Sequence, residues 1–271
     1  MIHFEGSGKD LMVTPNHNMV YEGKKKLGLF YKQADLFKEM ANVTFPTGQW
    51  KGKPLPDVVS LKEHIPEKWY QRGTEIEQID SNDLFYLIGL FIGDGSCNII
   101  ERKKMVVPQS VVHQNRDPLG RMRSKATLME MGFEEQESTY RCPRIIIDIP
   151  KTDKSWAKVS ACFDRVGLSW SQHNAIDNYL SSWGLYHWFD KCGHTSWDKR
   201  IPREYLEYET PLLKQLLQGI LDSDGHRNRC ITTTSFGLVQ DIIELCMKLG
   251  YCTYFAKIPM KSTTLKCGRV I

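Results

Sequence analysis

Leu87-Ile88-Gly89-Leu90-Phe91-Ile92-Gly93-Asp94-Gly95 and Leu217-Gln218-Gly219-Ile220-Leu221-Asp222-Ser223-Asp224-Gly225 are two versions of one nine-residue phrase. The first alone is ambiguous. Asp80-Ser81-Asn82-Asp83 offers helix-capping residues, but the nearly unbroken apolar run Leu84–Gly93 suits a buried strand as well as a buried helix. The second copy decides. Thr210 suits an N-cap and Pro211 a first helical turn, and apolar residues then fall at 212, 213, 216, 217, 220 and 221, a helical period. Both copies therefore read as an apolar helix ending in a small residue, Asp and Gly.

Working outward, each copy leads into β-rich sequence and then a helix closed by Gly and an aromatic. These are Leu128–Gly132-Phe133 in the first and Leu238–Leu249 with Gly250-Tyr251 in the second, where Gly250 is placed for a left-handed cap. Strands are expected at Ser96–Ile100, Met105–His113 and Arg144–Ile149, then at Ile231–Ser235 and Cys252–Ile258. The predicted fold is α/β (α+β), built from duplicated α-β-β-α units. Residues 1–80 differ. They hold short β-like runs (Leu11–Thr14, Met19–Tyr21) broken by Pro46, Gly48, Gly52, Pro54, Pro56 and Pro66. The expected division is a β-rich segment 1–80 and a double-motif domain 81–271, with halves at 81–198 and 199–271.

Gly89 and Gly93 are four apart, as are Gly219 and Ser223, so each helix carries a stripe of small residues on one face. Two such stripes packed together let backbones approach closely and bring Asp94 beside Asp224. Adjacent carboxylates repel unless a cation lies between them, and Mg²⁺ is the natural occupant. A symmetric acid pair with metal suits cleavage of two phosphodiesters related by the same pseudo-two-fold, as duplex DNA supplies. A single Asp-Gly after a helix is an ordinary turn; two copies in matched register are not.

The two runs resemble the paired motifs of the LAGLIDADG (dodecapeptide) homing endonucleases. The first keeps Leu87, Gly89, Leu90, Asp94 and Gly95 and departs at Ile88, Phe91, Ile92 and Gly93; the second keeps Leu217, Gly219, Asp222, Asp224 and Gly225. The resemblance spans roughly residues 80–271. It implies a saddle of two antiparallel sheets straddling double-stranded DNA around a central motif-helix pair, and a metal-dependent double-strand cut at a long target by a monomer with internal pseudo-two-fold symmetry. It makes Asp94 and Asp224 the catalytic metal ligands. Asp222 matches the earlier acid, faces Ile92 in the alignment and receives no catalytic role. Lys199-Arg200-Ile201-Pro202 resembles the Lys-x-Ile-Pro block of intein-type members, which makes Lys199 a candidate for transition-state charge stabilisation or water activation. Val13-Thr14-Pro15-Asn16-His17 resembles the Thr-x-x-His block of intein splicing domains, with Thr14 and His17 as a remnant of it. Neither end carries the flanking residues that splicing needs, so the chain is expected to be open at both ends. The second-half counterpart of Lys199 is expected beyond Ile271.

Residue types on the expected first-half strands suit base edges and phosphates: Arg102, Lys103, Lys104, Gln109 and His113, with Arg227 and Arg229 as the second-half set. The net charge of +4 is only mildly basic and says little alone. Apolar content of 41% and charged content of 25% exclude disorder, and no apolar run reaches the ~20 residues of a membrane span. No secretory signal opens the sequence, and the eight cysteines include no C-x-x-C pair, which argues against a structural zinc site and for a reducing, intracellular setting. Cys192-Gly193-His194 reads as an isolated structural pair, and Cys246 as a small core residue. The competing classes are a non-cutting nucleic-acid binder, such as a maturase or regulator, and an inactive intein remnant.

Overall fold

The computed structural model describes residues 2–5, 10–13, 18–22, 29–37, 50–67, 75–106, 109–114, 122–134, 136–173, 176–226, 230–251, 253 and 255–256. Strand β1 (Ile2–Glu5) pairs antiparallel with β2 (Asp10–Val13), β3 (Asn18–Glu22) with β4 (Leu29–Gln33), and β5 (Val58–Ser60) with β6 (Gln78–Asp80). The last of these ladders shares the main core, because Val59, Leu61 and Ile79 are buried among the residues of the motif helices. Trp50 ties the same region to the second half: its indole N–H donates to the Tyr208 carbonyl at 2.8 Å, and its own carbonyl accepts from the Thr210 hydroxyl at 2.8 Å.

Helix α1, Ser81–Asp94, starts where the Asp80 carboxylate accepts the free N–H groups of Asn82 and Asp83. It is buried from Leu84 to Ile92 on every face, which is why its sequence shows no amphipathic stripe. Gly95 ends it and opens β7 (Gly95–Val106). After α2 (Gln109–Gln114) and α3 (Lys125–Glu130) the chain returns as β8 (Gln136–Asp148), in register with β7 from Gly95↔Ile147 to Val106↔Gln136. Helix α4 (Trp156–Val166), β9 (Trp170–His173), β10 (Asp177–Leu180) and α5 (Trp183–Asp190) complete the half. The antiparallel sheet has the order β7-β8-β10-β9. Cys97, Ile145, Ile147 and Leu180 are buried on its helix-covered face. The second half is α6 (Thr210–Asp224), β11 (Gly225–His226), β12 (Cys230–Ile231) and α7 (Phe236–Lys248). The chain is thus a mixed α/β protein with antiparallel sheets, and no helix among the described residues is long and apolar enough to cross a membrane.

Four expectations are corrected. Met105–His113 is not one strand: β7 stops at Val106 and Gln109–Gln114 is helical. The helix that follows the first β-hairpin is α4, not the one ending at Gly132, because β8 returns only after α3 and makes residues 107–135 an insertion within the hairpin. Both α4 and α7 end in left-handed glycines, Gly167 (φ 73°) and Gly250 (φ 80°), with matching bonds from Leu168 N–H to Phe163 and from Tyr251 N–H to Cys246. Thr210 does not cap α6; Glu209 holds that position, and the Thr210 hydroxyl is spent on Trp50. Of the expected second-half strands, Ile231–Ser235 is a strand only at its first residue, since Ser235 caps α7, and most of Cys252–Ile258 lies outside the described residues.

Candidate active site

Helices α1 and α6 run in the same direction, and their small residues meet their counterparts. A Cβ placed on Gly89 would lie 2.8 Å from the Gly219 Cα, and one on Gly219 would lie 2.8 Å from the Gly89 Cα, with the Leu216 and Tyr86 carbonyls closer still. One turn on, a Cβ on Gly93 would strike the Ser223 hydroxyl and come within 3.3 Å of the Asp224 Cβ. The structure therefore juxtaposes the two copies residue for residue and delivers Asp94 and Asp224 to the same end of the helix pair.

Both carboxyls titrate above the normal range. Burial is the main cause for Asp94; the negative charges of Asp224 and then Asp148 add to it, Lys199 and His226 oppose it, and the result is about 6. Asp224 is raised by burial and relieved in part by His226. Among the described residues, no side chain donates a hydrogen bond to either carboxylate. Asp222, two residues before Asp224 on α6, is the opposite case. It accepts from the Tyr86 hydroxyl at 2.9 Å, the Lys158 ammonium at 2.7 Å and the Gln218 amide at 2.7 Å, so it clamps α1, α4 and α6 together.

Lys199 is not a surface residue. Only 5% of it is exposed. Its ammonium donates to the Phe91 carbonyl at 2.8 Å, at the C-terminal end of α1 where the helix dipole favours a cation, and lies 3.6 Å from the Phe91 ring centroid. Burial pulls its pKa down to about 8, against the opposing pull of Cys192, Cys97, Asp198 and Asp94. It is positioned from behind as well: Ser235 donates to its carbonyl, and the Arg200 side chain pairs with Asp241.

The sheet face away from the helices carries polar groups. Strand alternation puts Arg102 on the same face as Asn98 and Lys103 on the opposite one, where it pairs with Glu137 at 2.9 Å. Lys104 falls on β7, and Gln109 and His113 on α2, with their side chains outside the described part; Arg227, Arg229, Thr14 and His17 lie outside the described residues altogether. Sequence reasoning missed Asp148, His226 and Arg144. Asp148 pairs in register with Asp177 on β10, and burial and that neighbour raise its pKa. Arg144, opposite Asn98, stacks on Tyr179 and donates to its hydroxyl at 2.7 Å. Sheet register alone places Asp148 and Arg144, so no local pattern could have found them, whereas His226 stands two residues after Asp224 and was legible from that spacing.

No protein-family model matches the chain, and no curated protein matches it.

Proposed function

We propose that this chain is a metal-dependent DNA endonuclease of the LAGLIDADG homing type, a monomer that makes a double-strand cut with two halves related by an internal pseudo-two-fold. One contrast carries the reading. Asp222 has three donors, whereas Asp94 and Asp224 end matched helices, half-buried, with raised pKa values and no side-chain donor among the described residues. Adjacent carboxylates only partly offset by Lys199 and His226, with Asp148 near, are the donor set of a hard divalent cation. Asp94 and Asp224 would hold Mg²⁺, whose chemistry there is neutralisation of phosphate charge and acidification of a water.

The remaining work belongs to the chain's own groups. Gly89 and Gly219 set the separation of the acids by letting backbones touch. Lys199 acts from beneath the site, keeping Asp94 more acidic than burial alone would. Asn98, Arg102 and Arg144 offer the open sheet face to duplex DNA, by base edges and phosphates. The shared order α1-β7-β8-α4 and α6-β11-β12-α7 supports duplicated units and a saddle. The β-rich N-terminal strands fit the reading of residues 1–80 as part of a splicing domain.

The test is incubation of the full chain with Mg²⁺ and a randomised duplex library, followed by sequencing of captured ends. The proposal expects paired cuts at one long motif, abolished by Asp94→Asn or Asp224→Asn. Specific retention of duplexes without cutting would instead make the chain a non-cutting binder.

A further inference from the structure

A second cluster lies apart from the acid pair, where β7, the end of α5 and the turn before Lys199 converge. Cys97, Asp190 and His194 place one ligand-type atom each within 4.8 Å of one another. Gly193 makes this possible: it adopts φ 88° with the Asp198 backbone against it, where a Cβ would lie 2.8 Å from the Asp198 carbonyl carbon, and so turns His194 back over β7.

The hydrogen bonding of His194 sets acceptor against acceptor when the ring is neutral. Nδ1 lies 3.1 Å from the Cys97 carbonyl oxygen, which can only accept, so Nδ1 carries the proton. A neutral ring then presents the lone pair of Nε2 to the Asp190 carboxylate, 3.4 Å from Oδ1. Two acceptors then face each other across that gap, and either a second ring proton or a divalent cation between them resolves it, the two competing for the same lone pair. The separation suits a metal: tetrahedral zinc, with Zn–N and Zn–O bonds of about 2.0–2.2 Å, holds N and O ligands roughly 3.3 Å apart. The Cys97 sulfur, within 4.8 Å of the histidine and carboxylate ligand atoms, supplies a soft third donor. The surroundings match those of metal ligands, since the histidine's other N–H goes to a backbone carbonyl and Tyr186 donates to Asp190.

We propose that Cys97, Asp190 and His194 form a binding site for a borderline-soft divalent transition metal, Zn²⁺ in the first place, with its fourth position open to solvent. Asp190 and His194 are exposed and Cys97 is buried, so the site opens outward. Occupation would pin the turn that runs from His194 to Lys199 onto β7. The proposal does not depend on the nuclease reading.

The test titrates the chelator-treated full chain with Co²⁺ in excess Mg²⁺, which would occupy the acid pair, and then displaces the Co²⁺ with Zn²⁺. Expected are one ion per chain, intense visible bands of a tetrahedral centre, a thiolate-to-cobalt charge-transfer band, and a rise in Tm with Zn²⁺. Cys97→Ser should remove the charge-transfer band, His194→Gln should abolish binding, and Tyr186→Phe should weaken it by about 10–100-fold. Asp94→Asn and Cys230→Ser should bind as the wild type does. His194→Gln and Asp190→Asn alter exposed side chains, so circular dichroism should show an intact fold. No stoichiometric binding at micromolar Co²⁺ would reduce the cluster to an imidazolium–carboxylate ion pair, and binding that survives His194→Gln would place the metal elsewhere; either result overturns the proposal.

Discussion

Gly219→Ala tests whether backbone contact between α1 and α6 governs the site. An added Cβ would sit 2.8 Å from the Gly89 Cα, where ordinary contact begins at 3.4 Å, and the obstacles include the Tyr86 carbonyl and the Leu90 nitrogen, which no rotamer change can move. The helices must part by roughly 0.5–1 Å, which forfeits a quarter to a half of the dispersion between facing atoms. Tyr86, Leu90, Leu216 and Ile220 flank the contact and are buried. At roughly 2 kcal/mol of burial each, the loss is about 2–4 kcal/mol. Better helix propensity returns up to about 1 kcal/mol, for a net loss of about 1–3 kcal/mol. Urea unfolding followed by circular dichroism should show a lower midpoint at unchanged slope. Gly93→Ala should cost less, because the Ser223 hydroxyl can rotate away and leaves only its Cβ, at 2.9 Å, inside 3.0 Å, with no backbone atom in the way. A Gly219→Ala protein as stable as the wild type, or stabilised as propensity alone dictates, would refute the close-contact reasoning.

Three further outcomes follow from the same geometry. Asp94 is harder to ionise in the folded state (about 6) than at its ordinary 3.8, so the unfolded chain binds fewer protons between those values and stability falls as pH rises through them. Asp94→Asn should therefore stabilise the metal-free protein at pH 8 by about 1–3 kcal/mol and have no such effect below pH 4; a variant no more stable at pH 8 would contradict this. Lys199→Met should raise the Asp94 pKa above about 6, read by NMR titration of the carboxyl carbon, because the opposing cation is gone; an unmoved titration would separate the two residues electrostatically. Arg144→Ala should weaken duplex DNA binding and flatten the dependence of log Kd on log salt by about one unit, and an unchanged slope would remove Arg144 from the phosphate contacts.

The helix pair was legible in the sequence because the amphipathic α6 explains the featureless α1. Its contact face was legible too, since glycine spacing on a helix maps directly onto a stripe. The helix after the hairpin was not. Gly132, Gly167 and Gly250 all end helices in the left-handed region, so local chemistry cannot say which of the first two matches the third; only the β7–β8 register does. Lys199 was singled out only by the Lys-x-Ile-Pro resemblance, and its burial was not legible because that depends on the distant Phe91 carbonyl and ring. Asp148 and Arg144 were invisible for the same reason, as strand partners are set by pairing rather than by neighbours in the chain. The cysteine spacing argued against zinc, yet Cys97 and His194 meet through the fold at a separation no spacing rule covers.

The central claim is that Asp94 and Asp224 share a divalent cation, and calorimetric titration of Mg²⁺ at pH 7.5 into the wild type, Asp94→Asn and Asp224→Asn addresses it most directly. Binding in the wild type that is lost in both single variants is the result the account predicts. Mg²⁺ binding of equal affinity in all three proteins would contradict it.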